Sequence, residues 1–267
     1  MNKIIFFINC HVNPKYDSLL NLYLDDFKHS RIEHRKDVKL IMVIVGKPED
    51  YLKIRKYTQT ALPGMFNDYE GKNILHSYQH ERVEFRVHDN SNFEHKGIET
   101  AWAEAQSADD DDLITYTHCR GLSHTNPKSP EMNGSREIFS QVVSKCIICN
   151  CDAVKQIFKD NPSIDRVGVG QSPGGWMWFN FWTAKASYLK KKERPLEYPV
   201  LLKRMSKHFD RFAKDRHYYE AWLGNGDHDV ESGYSLLLEP QTGGTLTGPQ
   251  MIKGIIQLVR DKYNKSK

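Results

Sequence analysis

Lys39–Val45 reads KLIMVIV, six consecutive apolar residues behind one lysine, closed by Gly46, Lys47 and Pro48. A short apolar run bounded by turn formers predicts a strand buried on both faces. Upstream, Leu19, Leu20, Leu22, Tyr23 and Phe27 have helical spacing, and Ile4–Ile8 (IIFFI) forms a second compact strand pattern. Downstream, Glu49–Thr60 predicts a helix, Val83–Val87 a strand ending in His88, Asp89 and Asn90, Ile98–Gln106 a helix, and Leu113–His118 (LITYTH) a fourth strand. Strands alternating with helices argue for parallel pairing through right-handed crossovers. The predicted class is therefore α/β, a mostly parallel central sheet flanked by helices. Ligands of such sheets bind beyond the carboxyl ends of the strands. Asn9, His11, Asp89, Asn90, His118 and Arg120 gather there.

The second half is less regular. Helical patterns cover Arg136–Cys149, Asp152–Phe158, Ala184–Lys192 and Leu201–Phe212, with a last amphipathic helix after Gly248. Between them lie a small-residue strand (VGVG) and an aromatic stretch, GGWMWFNFW. Neither a repeat nor a Pro/Gly/Ser-rich linker divides the 267 residues, so the reading is one domain.

Hydrophobic residues at 39% suffice for a core, and a net charge of +4 is too mild for a nucleic-acid binder. The five cysteines are odd in number; Cys146, Cys149 and Cys151 cluster, but no second Cys or His pair completes a zinc site, so they read as free thiols. No stretch is apolar for long enough to span a membrane, and the opening IIFFINC lacks a cleavage site. The expectation is a soluble cytoplasmic protein with neither a membrane span nor a nucleic-acid partner. A dinucleotide-dependent oxidoreductase is disfavoured, because no G-x-G-x-x-G follows the first strand.

Three motifs bear on chemistry: LITYTHCRGLSH, WFNFWTAKASYL and RHYYEAWLG. In that order they resemble the Tyr-x-His-[Thr/Ser]-Lys-Gly, Gly-Asn-Phe-Trp-Trp-Ala and Arg-Tyr-x-x-Glu-x-Trp-Leu-Gly elements of a group of GT-A type glycosyltransferases from bacteria and large algal DNA viruses. The match spans roughly Asp109 to Gly224. Arg120 stands where that group has Lys, Cys119 where it has Thr or Ser, Phe179 where it has Gly, and Thr183 where it has Trp.

The resemblance implies a GT-A like fold, with about 1–125 binding a nucleotide-sugar, most often a UDP-sugar, and about 126–267 binding a glycan or glycoprotein acceptor. It also implies a cytoplasmic setting, the host cytoplasm for a viral member, where capsid proteins are glycosylated. Asn9, His11, Asp89 and Asn92 would hold the nucleoside, with Asn90 also on the donor side, and His118 and Arg120 the diphosphate; the competing reading is that Asp89 and Asn90 simply cap the turn. A divalent metal, manganese or magnesium, is compatible with the chemistry, with His118 as its one named ligand. Asp110-x-Asp112 fits a metal pattern but precedes the fourth strand and would lie at its opposite end. An inverting transfer needs a carboxylate to take the acceptor proton. Glu220, between Tyr219 and Trp222, is the candidate, with Asp227 and Asp229 behind it. Trp176, Trp178, Asn180 and Trp222 would line the acceptor side, two of the four motif tryptophans (Trp176, Trp178, Trp182 and Trp222) being expected in the core. The pair Gly174–Gly175 suggests a lid. The alternative function is a catalytically inactive carbohydrate-binding module on the same scaffold.

Overall fold

The computed structural model describes residues 1–11, 16–66, 82–119, 143–201, 217–224 and 230–236. They build one seven-stranded sheet flanked by helices. In chain order the strands are β1 (Asn2–Asn9), β2 (Val38–Val45), β3 (Val83–His88), β4 (Leu113–His118), β5 (Arg166–Gly168), β6 (Trp182–Lys185) and β7 (Gly233–Ser235). Their spatial order is β3-β2-β1-β4-β6-β5-β7, so both halves of the chain share one sheet. β1, β2, β3 and β4 are mutually parallel, with Ile5 opposite Ile41 and Phe7 opposite His118. β6 runs antiparallel to β4 and β5, and β7 is again parallel to β5.

The apolar runs that predict β1 and β2 owe their lack of alternation to burial on both sides. Ile4, Phe6, Ile8, Leu40, Met42 and Ile44 face one core, shared with α1 (Tyr16–His29). Ile5, Phe7, Ile41, Val43 and Val45 face the other, shared with α3 (His95–Gln106), Trp182 and Trp222. Each such side chain contributes about 1.5–3 kcal/mol when fully buried. On α1 the stripe Leu19, Leu20, Tyr23, Leu24 and Phe27 is the buried face of an amphipathic helix. α2 (Pro48–Ala61) starts with Pro at its first turn, and Asp50 accepts the Lys47 amide at 2.9 Å.

Two strands depart from the sequence reading. Ala184 was expected to open a helix, yet Trp182–Lys185 is β6, and the helix is only Ala186–Lys190. β7 has no counterpart in the sequence reading. Both are too short for periodicity to register; they exist because β4, β6 and β5 have open edges to fill. Of the helix pattern at Arg136–Cys149 the described part, 143–149, is helical over 143–148; Leu201–Phe212 lies outside the described residues but for Leu201, and the pattern after Gly248 lies wholly outside them. No helix among the described residues is long and apolar enough to cross a membrane.

Candidate functional site

The parallel strands all end at one edge. β1 connects toward β2 on one side, while β4 lies on the other, so the crevice between the ends of β1 and β4 is the topological switch point. His118 closes β4 there, beside Phe7. The antiparallel register of β6, with Tyr116 opposite Trp182, carries the segment before β6 to the same edge. That segment begins as a tight hairpin: the Ser172 amide donates to the Trp176 carbonyl at 2.8 Å, and the Trp178 amide to the Gly170 carbonyl at 2.8 Å. Gly175, at φ 83°, forms its left-handed residue.

This hairpin, read from its glycines as a lid, is fastened to the core. The wholly buried Arg166 donates from Nε to the Gly175 carbonyl at 2.9 Å and from Nη1 to Ser232 Oγ at 2.7 Å. From the other side Gly224 presses on it: a Cβ there would stand 2.5 Å from the Gly174 carbonyl oxygen. Only glycine permits that approach.

The polypeptide then makes an unusual turn. Phe179 and Asn180 both have positive φ, 65° and 59°. For phenylalanine this is strained backbone. The turn aims the Phe179 carbonyl at His118 Nε2, 3.0 Å away. Asn180, wholly buried, makes three contacts. Its Oδ1 accepts from Trp182 Nε1 at 2.7 Å, and its Nδ2 donates to the Glu94 carboxylate and to the Tyr219 carbonyl, the latter at 3.3 Å. Glu94 Oε2 also accepts from Tyr116 Oη at 3.5 Å, and Oε1 stands 3.6 Å from His118 Nδ1. Burial, and then the Glu94 carboxylate, push the Tyr116 phenol well above its ordinary pKa, so it remains a donor. Gly97 lets α3 settle onto β1 and β4; a Cβ there would lie 2.7 Å from Tyr116 Oη and 2.8 Å from Phe7 Cβ.

Thus His118 and Asn180, from the first two motifs, meet at Glu94, and Tyr219, from the third, meets Asn180. Sequence reasoning missed Glu94. It sits in the loop ahead of α3 and looks like any surface glutamate; only its position between strand end and helix start could have drawn notice.

The proposed nucleoside residues form a second group. Asn9 Oδ1 accepts the His11 amide at 3.2 Å, and His11 Nε2 donates to the Asp89 carbonyl at 2.9 Å, tying the end of β1 to that of β3. The Asp89, Asn90 and Asn92 side chains are exposed. The turn itself is capped by Ser91, whose Oγ accepts the Lys96 amide at 3.2 Å.

Other expectations need correction. His118 is 4% exposed and turns Nε2 to Phe179 and Nδ1 to Glu94, so neither ring nitrogen is presented to a metal or a diphosphate. Among the described residues no cluster of three His, Cys, Asp or Glu side chains could hold a metal. Trp222 is 2% exposed, its indole N–H donating to the Glu193 carbonyl at 3.1 Å; it is core, not an acceptor platform. Asn180 is likewise enclosed and acts on its protein neighbours. Trp176 and Trp178 stay half-exposed, edge-to-face at 6.0 Å, and could stack on a ligand. Glu220 is half-buried on the helix His217–Ala221, next to Tyr219. Asp110 and Asp112 lie at the far edge of the sheet, where Lys190 and the Met1 amino group meet them. Arg120, Asp227 and Asp229 lie outside the described residues.

No protein-family model matches the chain, and no curated protein matches it.

Proposed function

We propose that this protein is a glycosyltransferase with a GT-A like architecture, moving a sugar from a nucleotide-sugar, a UDP-sugar in the first instance, to a glycan acceptor. What carries the reading is the convergence of the three motifs. The His of the first, the Asn of the second and the Tyr before Glu220 of the third are held together at the switch-point crevice by the 3.0 Å His118–Phe179 and 3.3 Å Asn180–Tyr219 contacts. The three motifs are far apart in the chain and adjacent in space, as the parts of one site would be.

In this reading the nucleoside lies over Asn9, His11 and the exposed Asp89, and the acceptor meets Trp176 and Trp178. Glu220 takes the proton from the acceptor hydroxyl, whose oxygen attacks the anomeric carbon as the bond to the diphosphate breaks, inverting the centre. Arg120 neutralises the leaving diphosphate with a planar two-pronged cation. If manganese or magnesium participates, its ligands come from residues other than His118.

The test is nucleotide release from a panel of UDP- and GDP-sugars, with manganese and with chelator, by wild type and Glu220→Gln. Turnover of one donor, lost in Glu220→Gln, is the expected result. If no donor is turned over and none raises Tm, the transferase reading fails and the inactive carbohydrate-binding scaffold replaces it.

A further inference from the structure

We infer that Phe93 and Tyr198 form an aromatic platform for a sugar ring of the acceptor glycan, on the segment held by the helix that carries Glu220. That the ring belongs to an acceptor rests on the proposed function; the platform itself stands on geometry.

An exposed apolar side chain needs no explanation of its own, and Leu52 and Val87 are of that kind, exposed on ordinary backbone. Phe93 is different. Its φ of 53° lies in the left-handed region, where a β-carbon is costly and a bulky residue is an outlier. Burial does little to offset that cost, because the residue remains 40% exposed. The loop around it holds the conformation. The Asn92 carbonyl accepts the His95 amide at 3.2 Å, and Ser91 Oγ accepts the Lys96 amide at 3.2 Å and donates to the Phe93 carbonyl at 3.4 Å. Backbone strain kept where it buries so little points to a role for the ring on the open side.

The Phe93 ring meets Tyr198 edge to face, 5.6 Å between centroids and 67° between planes. Tyr198 is half-buried against the core shared with α3, so the pair is seated at one end and open at the other. Its segment is fixed by the helix His217–Ala221. Tyr219 Oη donates to the Leu196 carbonyl at 2.8 Å, and the Leu196 amide donates to Tyr218 Oη at 3.3 Å. Glu220, the candidate base, belongs to that helix. Phe93 in turn directly precedes Glu94, whose carboxylate accepts from Asn180 of the second motif. The aromatic pair therefore joins the loop before α3 to the segment beside the candidate base, where an acceptor has to lie.

The chemistry of this surface suits a pyranose. The C–H face of a sugar ring is weakly positive and stacks on the negative face of an aromatic ring. The hydroxyls around its rim need polar partners, and the chain neighbours Asn92 and Glu197 are both exposed. The contact is additional to Trp176 and Trp178.

The experiment is saturation-transfer NMR on the full chain with a panel of methyl glycosides (glucoside, galactoside, mannoside, xyloside, fucoside and rhamnoside) and with uridine monophosphate as the nucleotide control. It compares wild type with Phe93→Gly, Phe93→Tyr and Tyr198→Leu. Glycine is at ease at φ 53°, so Phe93→Gly removes the ring and keeps the loop. At least one glycoside binds wild type, and it binds Phe93→Gly and Tyr198→Leu about tenfold more weakly. Phe93→Tyr retains it. Equal glycoside affinity in wild type and Phe93→Gly overturns the inference, as does a wild type that binds no glycoside of the panel. Loss of uridine monophosphate binding in Phe93→Gly in place of glycoside binding overturns it too, since the platform would then serve the base. Donor hydrolysis, which needs no acceptor, is read on wild type and Glu220→Gln. Turnover together with glycoside binding indifferent to Phe93 sinks this inference and leaves the transferase reading. A glycoside that depends on Phe93, with no donor turned over, sinks the transferase reading and leaves the sugar platform.

Discussion

The carbonyl oxygen of Phe179 lies 3.0 Å from Nε2 of His118, and Phe179 reaches that position only by adopting φ 65°. A β-carbon in the left-handed region costs about 1–2 kcal/mol, which glycine avoids. The usual stability order of small residues should therefore invert here. Phe179→Gly is expected to be about 1 kcal/mol more stable than Phe179→Ala, both losing the same ring contact with Trp178. Urea denaturation of the two variants measures it; an alanine variant as stable as the glycine one would show that the turn is unstrained.

The tryptophans divide by burial. Trp222→Ala empties a core position and removes the hydrogen bond to the Glu193 carbonyl, so a loss of about 3–5 kcal/mol is expected. Trp176→Ala, at a half-exposed ring, should cost less than half of that; under the proposed function it acts instead on acceptor saturation. Equal losses of stability from the two substitutions would contradict the assignment.

Acid should weaken the buried charge network behind the sheet. Burial raises the Glu104 carboxyl, but hydrogen bonds from Lys3 and Arg86 outweigh it and hold the group below its ordinary value of 4.5. A carboxyl lowered in the folded state contributes stability above 4.5, and that contribution is lost as the pH falls through its folded value. Glu104→Gln is expected to lower stability at neutral pH by about 1–2 kcal/mol and to flatten the fall of Tm between about pH 5 and pH 3. Parallel Tm–pH curves for the two proteins would refute it.

The thiols at the strand end and helix start should be slow nucleophiles. Burial, then Asp50 and Asp17, push the Cys10 thiol up to about 12, and burial raises Cys151. Since the thiolate is the reactive form, maleimide at about pH 8 should leave both unlabelled in the folded protein and label both in denaturant. Mass spectrometry of the digested protein reads this directly, and rapid native labelling of Cys10 would contradict its burial.

The legible part of this molecule was its long-range order. KLIMVIV and IIFFI announced the central strands because burial on both faces leaves an unbroken apolar run, and α1 declared itself through its stripe of leucines and aromatics. Asn9, His11, Asp89 and His118 could be assigned to one edge because parallel strands end together. Trp222 could not be told from Trp176, since aromatic residues serve core and surface alike. Lone residues of common type were opaque too: Glu94 has no local pattern, and its contacts are with residues on β4 and before β6.

The amino-acid sequence by itself determined the α/β class, the parallel half of the sheet and the edge at which polar residues gather, because hydrophobic periodicity is a local property that each segment carries alone. Only the tertiary structure decided β6, β7, the left-handed turn at Phe179 and Asn180, and the Trp182–Asn180–Glu94–His118 chain. Strands of three or four residues form only against an existing edge, and a backbone strain or a donor's direction is set by what packs on the other side.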